Sequence, residues 1–255
     1  RSPLDMGPAG APVRPGSRVS YVPTAALIVR REALLSVGGF EPGLRVGEDV
    51  DLVWRLHRAG WRTRYEPMTS ATHPTRSDLS SWLGQRYKYG RSAAALAARH
   101  GSAMAPLTAS GSQLATGVAI VAGRPLIGGA IAVASFVHRI RRLREVSAMG
   151  PAARLAGLGS LAVGRHFAEA LRRPWWPASA VAAALCPRTR PALAAVAILP
   201  PLVEWWTRRP SIGPVGYTTL RAAEDLAYGS GVWRGVIEQR SAAALRPSIR
   251  RSATT

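Results

Sequence analysis

A single cysteine, Cys186, leaves the chain without a partner for an intrachain disulfide and without any cysteine-based zinc site. Its position between Leu185 and Pro187, inside an apolar run, marks it as a small packed residue rather than a reactive thiol. Lysine is equally scarce, because Lys88 stands alone among the 34 basic residues. The formal charge of +20 is therefore an arginine charge, which an Arg- and Ala-rich genome produces without selection for an anionic partner. Neither an aromatic-basic RNA motif nor a helix-turn-helix is visible, so no nucleic acid is expected as a partner. Uninterrupted apolar runs are short, and none reaches the roughly 20 residues of a spanning helix. No charged-then-apolar leader follows Arg1, and the natural start of the protein is expected upstream of it.

What is present divides the 255 residues into two unlike parts. Residues 1–104 hold most of the varied polar chemistry, whereas 105–255 are rich in Ala, Leu, Val, Gly and Arg. In the first part, Pro and Gly crowd residues 1–18 into a loop, and Val19 to Arg30 reads as a strand or bent strand pair interrupted at Pro23. A short helix from Arg31 to Val37 should stop at Gly38-Gly39, where glycine permits a left-handed cap. The next helix spans Gly47 to Ala59, with Val50, Val53, Trp54 and His57 at packing intervals and Asp51 and Arg55 one turn apart. Short extended segments at Trp61–Glu66 and Thr69–His73 precede one helix, or two broken at Gly90, from Leu79 to Arg99.

The second part offers four apolar pieces: Leu114–Gly123, Leu126–Val137, Ala178–Cys186 and Ala192–Trp206. Joined in pairs, each pair is long enough to span but buries arginine; kept apart, they make hairpins that dip part-way into a bilayer or pack as a soluble bundle. Arginines at 139–144 and the Trp205-Trp206-Thr207-Arg208-Arg209 cluster have the character of interfacial anchors. Trp175-Trp176 carries the same signal. A membrane surface is therefore the expected partner of this region, with the basic side facing the cytoplasm.

Chemistry concentrates where Gly38-Gly39-Phe40 leads into Glu48-Asp49-Val50-Asp51-Leu52. Three carboxylates in the first turn of a helix are favoured by the helix dipole and are often no more than capping groups. Like-charged neighbours and burial would raise the pKa of one of them and make it a general base.

That stretch, followed by Arg55-Leu56 and Gly60-Trp61, resembles the acceptor-side half of the family 2 glycosyltransferases, which have the GT-A fold. Tyr21–Leu27, Leu44–Leu56, Tyr89–Ala94, Arg173–Pro177 and Ala227–Trp233 are together similar to the branch that serves mycofactocin biosynthesis. The resemblance implies a partial α/β, Rossmann-like domain at 1–104 and an all-α, membrane-associated region at 105–255. It implies inverting transfer of a hexose, glucose, from a nucleotide-sugar donor to a peptide-derived precursor. Asp49 would be the catalytic base. Glu48, Asp51, Arg55, Gly38, Gly39 and Trp82 would orient the acceptor or the base. Arg86 and Lys88 would contact pyrophosphate, although Ser81–Gly90 also reads as an amphipathic helix lying on a membrane. His73 would be one ligand of a manganese or magnesium ion whose other ligands, with the nucleotide-binding half, lie outside this chain. On that account the chain alone should be inactive. Transfer to cell-envelope polysaccharide or lipid is the alternative enzyme reading, and a basic membrane-peripheral or nucleic-acid-binding protein the non-enzymatic one.

Overall fold

The computed structural model describes residues 6–69, 78–144 and 148–250, which are mostly helical with two small two-stranded sheets. Strand β1 (Ala11–Val13) pairs antiparallel with β2 (Thr63–Tyr65), placing Pro12 opposite Arg64. With only one partner strand, Pro12 need not donate to a second ladder, which is how a proline sits in a strand. This corrects two expectations. The strand lies inside the Pro/Gly-rich segment read as loop, and Val19–Arg30 holds only a bridge from Val19 to Val13 and a 3-10 turn at Thr24–Ala26. Among the described residues no further strand comes alongside Val19–Arg30, so its β-forming composition has no ladder to join. The α/β expectation is met only by this small pair, and an extended Rossmann-like sheet is not among the described residues.

Helix α1 (Arg31–Ser36) stops where expected: Gly38 and Gly39 take φ of 75° and 71°, and their N–H groups return to Leu35 O and Leu34 O. Helix α2 (Glu48–Arg58) begins after Gly47, whose φ is 84°. Leu52, Val53, Trp54 and Leu56 of α2 are all buried. Val53 and Trp54 pack with Ala11, Val13, Val19 and Val22, while Leu52 and Leu56 pack with Ala33 of α1. This helix is the hub of the first part, held on two sides; His57, expected on its packing face, is exposed.

Helix α3 (Leu79–His100) runs through Gly90 without a break. Gly90 is buried because another helix crosses it. After a parallel two-residue pairing of β3 (Thr108–Ala109) with β4 (Ser248–Ile249), the chain is helical: α4 (Gly111–Val121), α5 (Pro125–Leu143), α6 (Met149–Arg172), α7 (Trp176–Leu185), α8 (Arg190–Arg208) and α9 (Pro214–Gln239). Helix α9 lies on α3 with almost no space between backbones. A Cβ at Gly90 would stand 1.9 Å from Tyr228 O, one at Gly231 2.0 Å from Tyr87 O, and one at Gly235 2.3 Å from Arg91 O. The division expected at 104/105 would fall just after the turn at Gly101–Met104, and α3 and α9 pack together across that position. Gly231→Val should therefore force α3 and α9 apart and cost about 3 kcal/mol, the upper end of ordinary overpacking. Denaturant unfolding reads this directly, and a midpoint equal to that of the unsubstituted chain would remove the close crossing as a source of stability.

The paired apolar segments form hairpins, and Cys186, expected to be packed, is exposed where α7 ends. Gly123, at φ 74°, ends α4, and Arg124 N–H closes on Ala119 O before Pro125 opens α5. Among the described residues, no helix is long and apolar enough to cross a membrane. Trp175 and Trp176 also depart from the interfacial expectation. The Trp175 indole donates to Leu245 O at 2.8 Å, and a Cβ at Gly229 would meet Arg173 O at 2.0 Å and Trp176 Cδ1 at 2.5 Å. The two tail motifs, Arg173–Pro177 and Ala227–Trp233, thus pack on one another, with Trp233 donating to Pro174 O at 2.7 Å.

Candidate active site

The acidic turn sits at the start of α2 because Gly47 adopts a left-handed conformation close against α3. A Cβ there would stand 2.9 Å from Leu96 Cδ1. From that turn Glu48 stays half-buried, and Asp51 and Asp49 go to different places.

Asp51 is fully enclosed. Its Oδ2 accepts from Arg55 Nε at 2.7 Å, and its Oδ1 accepts from Arg99 Nε at 2.8 Å and from His100 Nε2 at 2.9 Å. A carboxylate only accepts, so the imidazole carries its proton on Nε2. Burial pushes the Asp51 carboxyl up, and the hydrogen bonds from Arg99, Arg55 and His100 outweigh it, holding the group below the ordinary carboxylate range. Burial likewise pushes His100 down, against the pull of Asp51, so the ring is neutral near pH 7. Its edge stands against Trp54 at 5.1 Å between ring centroids. Arg55 continues the network, its two terminal nitrogens donating to Val37 O and, at 2.6 Å, to Gly39 O, while Arg99 also pairs with Glu41 at 2.9 Å. The Gly38-Gly39 turn is thereby clamped to α2, as the end of α1.

Asp49 is different. It is half-buried, and Oδ1 accepts only the N–H of Val50, at 2.8 Å. Its Oδ2 carries no hydrogen bond to the described residues. Burial raises its pKa, the Val50 N–H opposes that, and the charge of Glu48 adds to the rise. A carboxylate with a free oxygen and a raised pKa is a stronger base than a solvated aspartate. Tyr21 shares its surroundings. The Tyr21 phenol is pushed up to about 12, first by burial and then by the negative charge of Asp49, with Tyr89, Arg86 and Tyr228 also acting on it.

Arg86 belongs to this neighbourhood but is engaged by the protein. Its side chain is 12% exposed and pairs with Glu224 of α9 at 3.0 Å, lying 5.7 Å from the Trp82 ring centroid and 5.8 Å from that of Tyr89. Lys88 is exposed on α3, and Trp82 is half-buried. The structure thus brings Asp49 into one electrostatic neighbourhood with Arg86, and Asp51 together with Arg55, Gly39 and, through the turn, Gly38. Arg99, His100, Tyr21 and Tyr228 were not singled out as site residues. Tyr21 and Tyr228 lie in segments that carried the family resemblance, whereas a basic pair at a helix end signals no particular carboxylate.

His73 lies outside the described residues. Among those described, no three His, Cys, Asp or Glu side chains converge on a possible metal position, and Asp51 is taken by Arg55, Arg99 and His100. The residues described do not by themselves fit the divalent cation that the resemblance implies.

A buried, partnered carboxylate beside a free, raised one, at the start of a helix that follows a glycine turn, gives this turn one anchoring group and one group able to accept a proton. Residues 10–140 match the profile of the glycosyl transferase family group 2, and the chain belongs to that family. Two curated pre-mycofactocin glycosyltransferases, from Mycobacterium tuberculosis strains CDC 1551 / Oshkosh and ATCC 25618 / H37Rv, are each 40% identical to it over 261 residues. The match takes in 98% of this chain and 55% of theirs, so the chain spans about half the length of these relatives. No solved structure matches it.

Proposed function

We propose that this chain supplies the acceptor-side half of a GT-A domain, residues 1–104, and a membrane-associated helical region from 105, in an inverting hexosyltransferase. The donor is a nucleotide sugar, with glucose as the hexose, and the acceptor is the peptide-derived precursor of mycofactocin. Asp49 takes the proton from the acceptor hydroxyl as its oxygen attacks the anomeric carbon. Asp51, Arg55, Arg99 and His100 hold the turn that presents Asp49 and keep it from collapsing onto a cation. The observation that carries this reading is the contrast between the two aspartates: Arg55, Arg99 and His100 donate to Asp51 and Arg86 pairs with Glu224, leaving one oxygen of Asp49 free. The relatives' name supports the acceptor.

Attachment to the cytoplasmic face of the cell membrane is supported by apolar side chains left outside the helical region, among them Leu126, Leu185 and Trp206. Arg209 stacks 3.9 Å from the Trp206 ring centroid, which joins a cation to an amphipathic ring as interfacial anchors do.

The test is a protein of the relatives' full length that contains this chain, incubated with nucleotide-glucose and either the peptide-derived precursor or a cell-envelope lipid acceptor. The precursor should gain one anhydrohexose unit in mass, and the activity should sediment with membranes. Transfer to the lipid acceptor alone would replace the acceptor, and activity confined to the soluble fraction would remove the membrane from this reading.

A further inference from the structure

Helices α4, α5, α6 and α8 do not close on one another. They leave an apolar cavity of about 730 Å³, within the range of sites that hold organic ligands. Glycine keeps it open. Gly157 and Gly164, one above the other on α6, line it, and a Cβ on either would meet no atom of the surrounding fold within 4 Å. Phe136, Phe167 and Leu161 supply the walls.

One charge faces this space. Arg139 of α5 lines the cavity, and its Nη2 donates to Ser160 Oγ at 2.8 Å. Its Nε is enclosed by the protein, and among the described residues no carboxylate pairs with the guanidinium. Residues 111–168 contain a single acid in sequence, Glu145, and the next, Glu169, pairs with Arg173 at 2.6 Å. Arg141 and Arg142 of α5, Arg144 just after it, and Arg154 and Arg165 of α6 outnumber the acid and add positive potential of the same sign. A guanidinium at the wall of an apolar cavity with no carboxylate beside it favours an anion there.

We propose that this cavity binds a single-chain amphiphile, its hydrocarbon chain between α4, α5, α6 and α8 and its anionic head, a carboxylate or phosphate, on Arg139. The site is independent of the transferase reading, since none of its residues belongs to the neighbourhood of Asp49 and Asp51.

Binding of palmitate, hexadecyl phosphate, hexadecanol and inorganic phosphate to the purified chain, measured by displacement of a fluorescent fatty acid, tests it. The two anionic amphiphiles should bind, hexadecanol should bind roughly tenfold more weakly, and inorganic phosphate should not compete. Arg139→Met should erase the preference for the anions while leaving hexadecanol unchanged. Gly157→Leu with Gly164→Leu should fill the cavity and abolish binding of all three chains, with the helical circular dichroism retained, since leucine is the better helix former. Undiminished palmitate binding by the double leucine variant would overturn the site. Equal binding of hexadecanol and palmitate would overturn the anionic head, and competition by inorganic phosphate would leave a surface anion site in its place. No uptake of palmitate in a chain that adheres to anionic vesicles would assign the apolar surface to a bilayer instead.

Discussion

Asp49→Asn, in a protein of the relatives' full length, is expected to lower glycosyl transfer on the order of 1,000-fold, the usual scale for removal of a general base. The fold should be untouched. Asparagine keeps the acceptor for the Val50 N–H at the start of α2 and removes the charge that burial penalises, so the unfolding midpoint at neutral pH should stay level or rise. The pH dependence carries the sign. Burial and Glu48 raise the Asp49 pKa, so the acidic limb of kcat/KM should lie above the ordinary aspartate range and disappear in the asparagine variant. An Asp49→Asn enzyme that retained full activity would sink the base assignment and return the acidic turn to helix capping.

For Asp51 the opposite pattern is expected. Asp51→Ala should cost about 3 kcal/mol of stability or more, because it strands Arg55, Arg99 and His100 around a buried vacancy. Arg99, which is 36% exposed and still holds Glu41, can turn toward water and soften the loss; Arg55 and His100 are far more enclosed. The folded pKa of Asp51 is depressed, so its stabilising contribution is complete above the unfolded carboxylate pKa and is lost as pH falls through the folded value. The gap between the parent chain and Asp51→Ala should accordingly be widest near neutral pH and close in acid. Denaturant midpoints taken across pH measure it. A gap that did not change with pH would mean that the carboxylate charge is not what holds the three partners.

The two aspartates also show how far the residues alone could be read. Local rules were sufficient for the acidic turn. Gly38-Gly39 ended α1, Gly47 opened α2, and the one-turn spacing paired Asp51 with Arg55, because each depends on backbone conformation and side-chain spacing within a few residues. Helical character was legible for the four apolar pieces of the second part, but whether the chain turned at Gly123-Arg124-Pro125 and Pro187–Pro191 stayed open, and α6 and α9 were not marked out, because tertiary packing decides both. The strand reading of Val19–Arg30 failed, since β-propensity describes a surface awaiting a partner and the partner strand ran beside Ala11–Val13 instead.

Length, charge, the family pattern and the bounds of the main helices of the first part are properties of neighbouring residues, and they can be taken from the amino-acid order without coordinates. The division of labour between Asp49 and Asp51 cannot. It depends on Arg99 and His100 arriving at the far end of α3, 48 and 49 positions away from Asp51, and on α9 crossing α3 through Gly90, Gly231 and Gly235 closely enough to bring Glu224 to Arg86 and Tyr228 into the electrostatic surroundings of Tyr21. Three acids in one turn have the same local chemistry. Which becomes a buried anchor and which keeps a free oxygen was settled by the packing of helices distant in the chain, because only that packing sets where desolvation and positive charge fall.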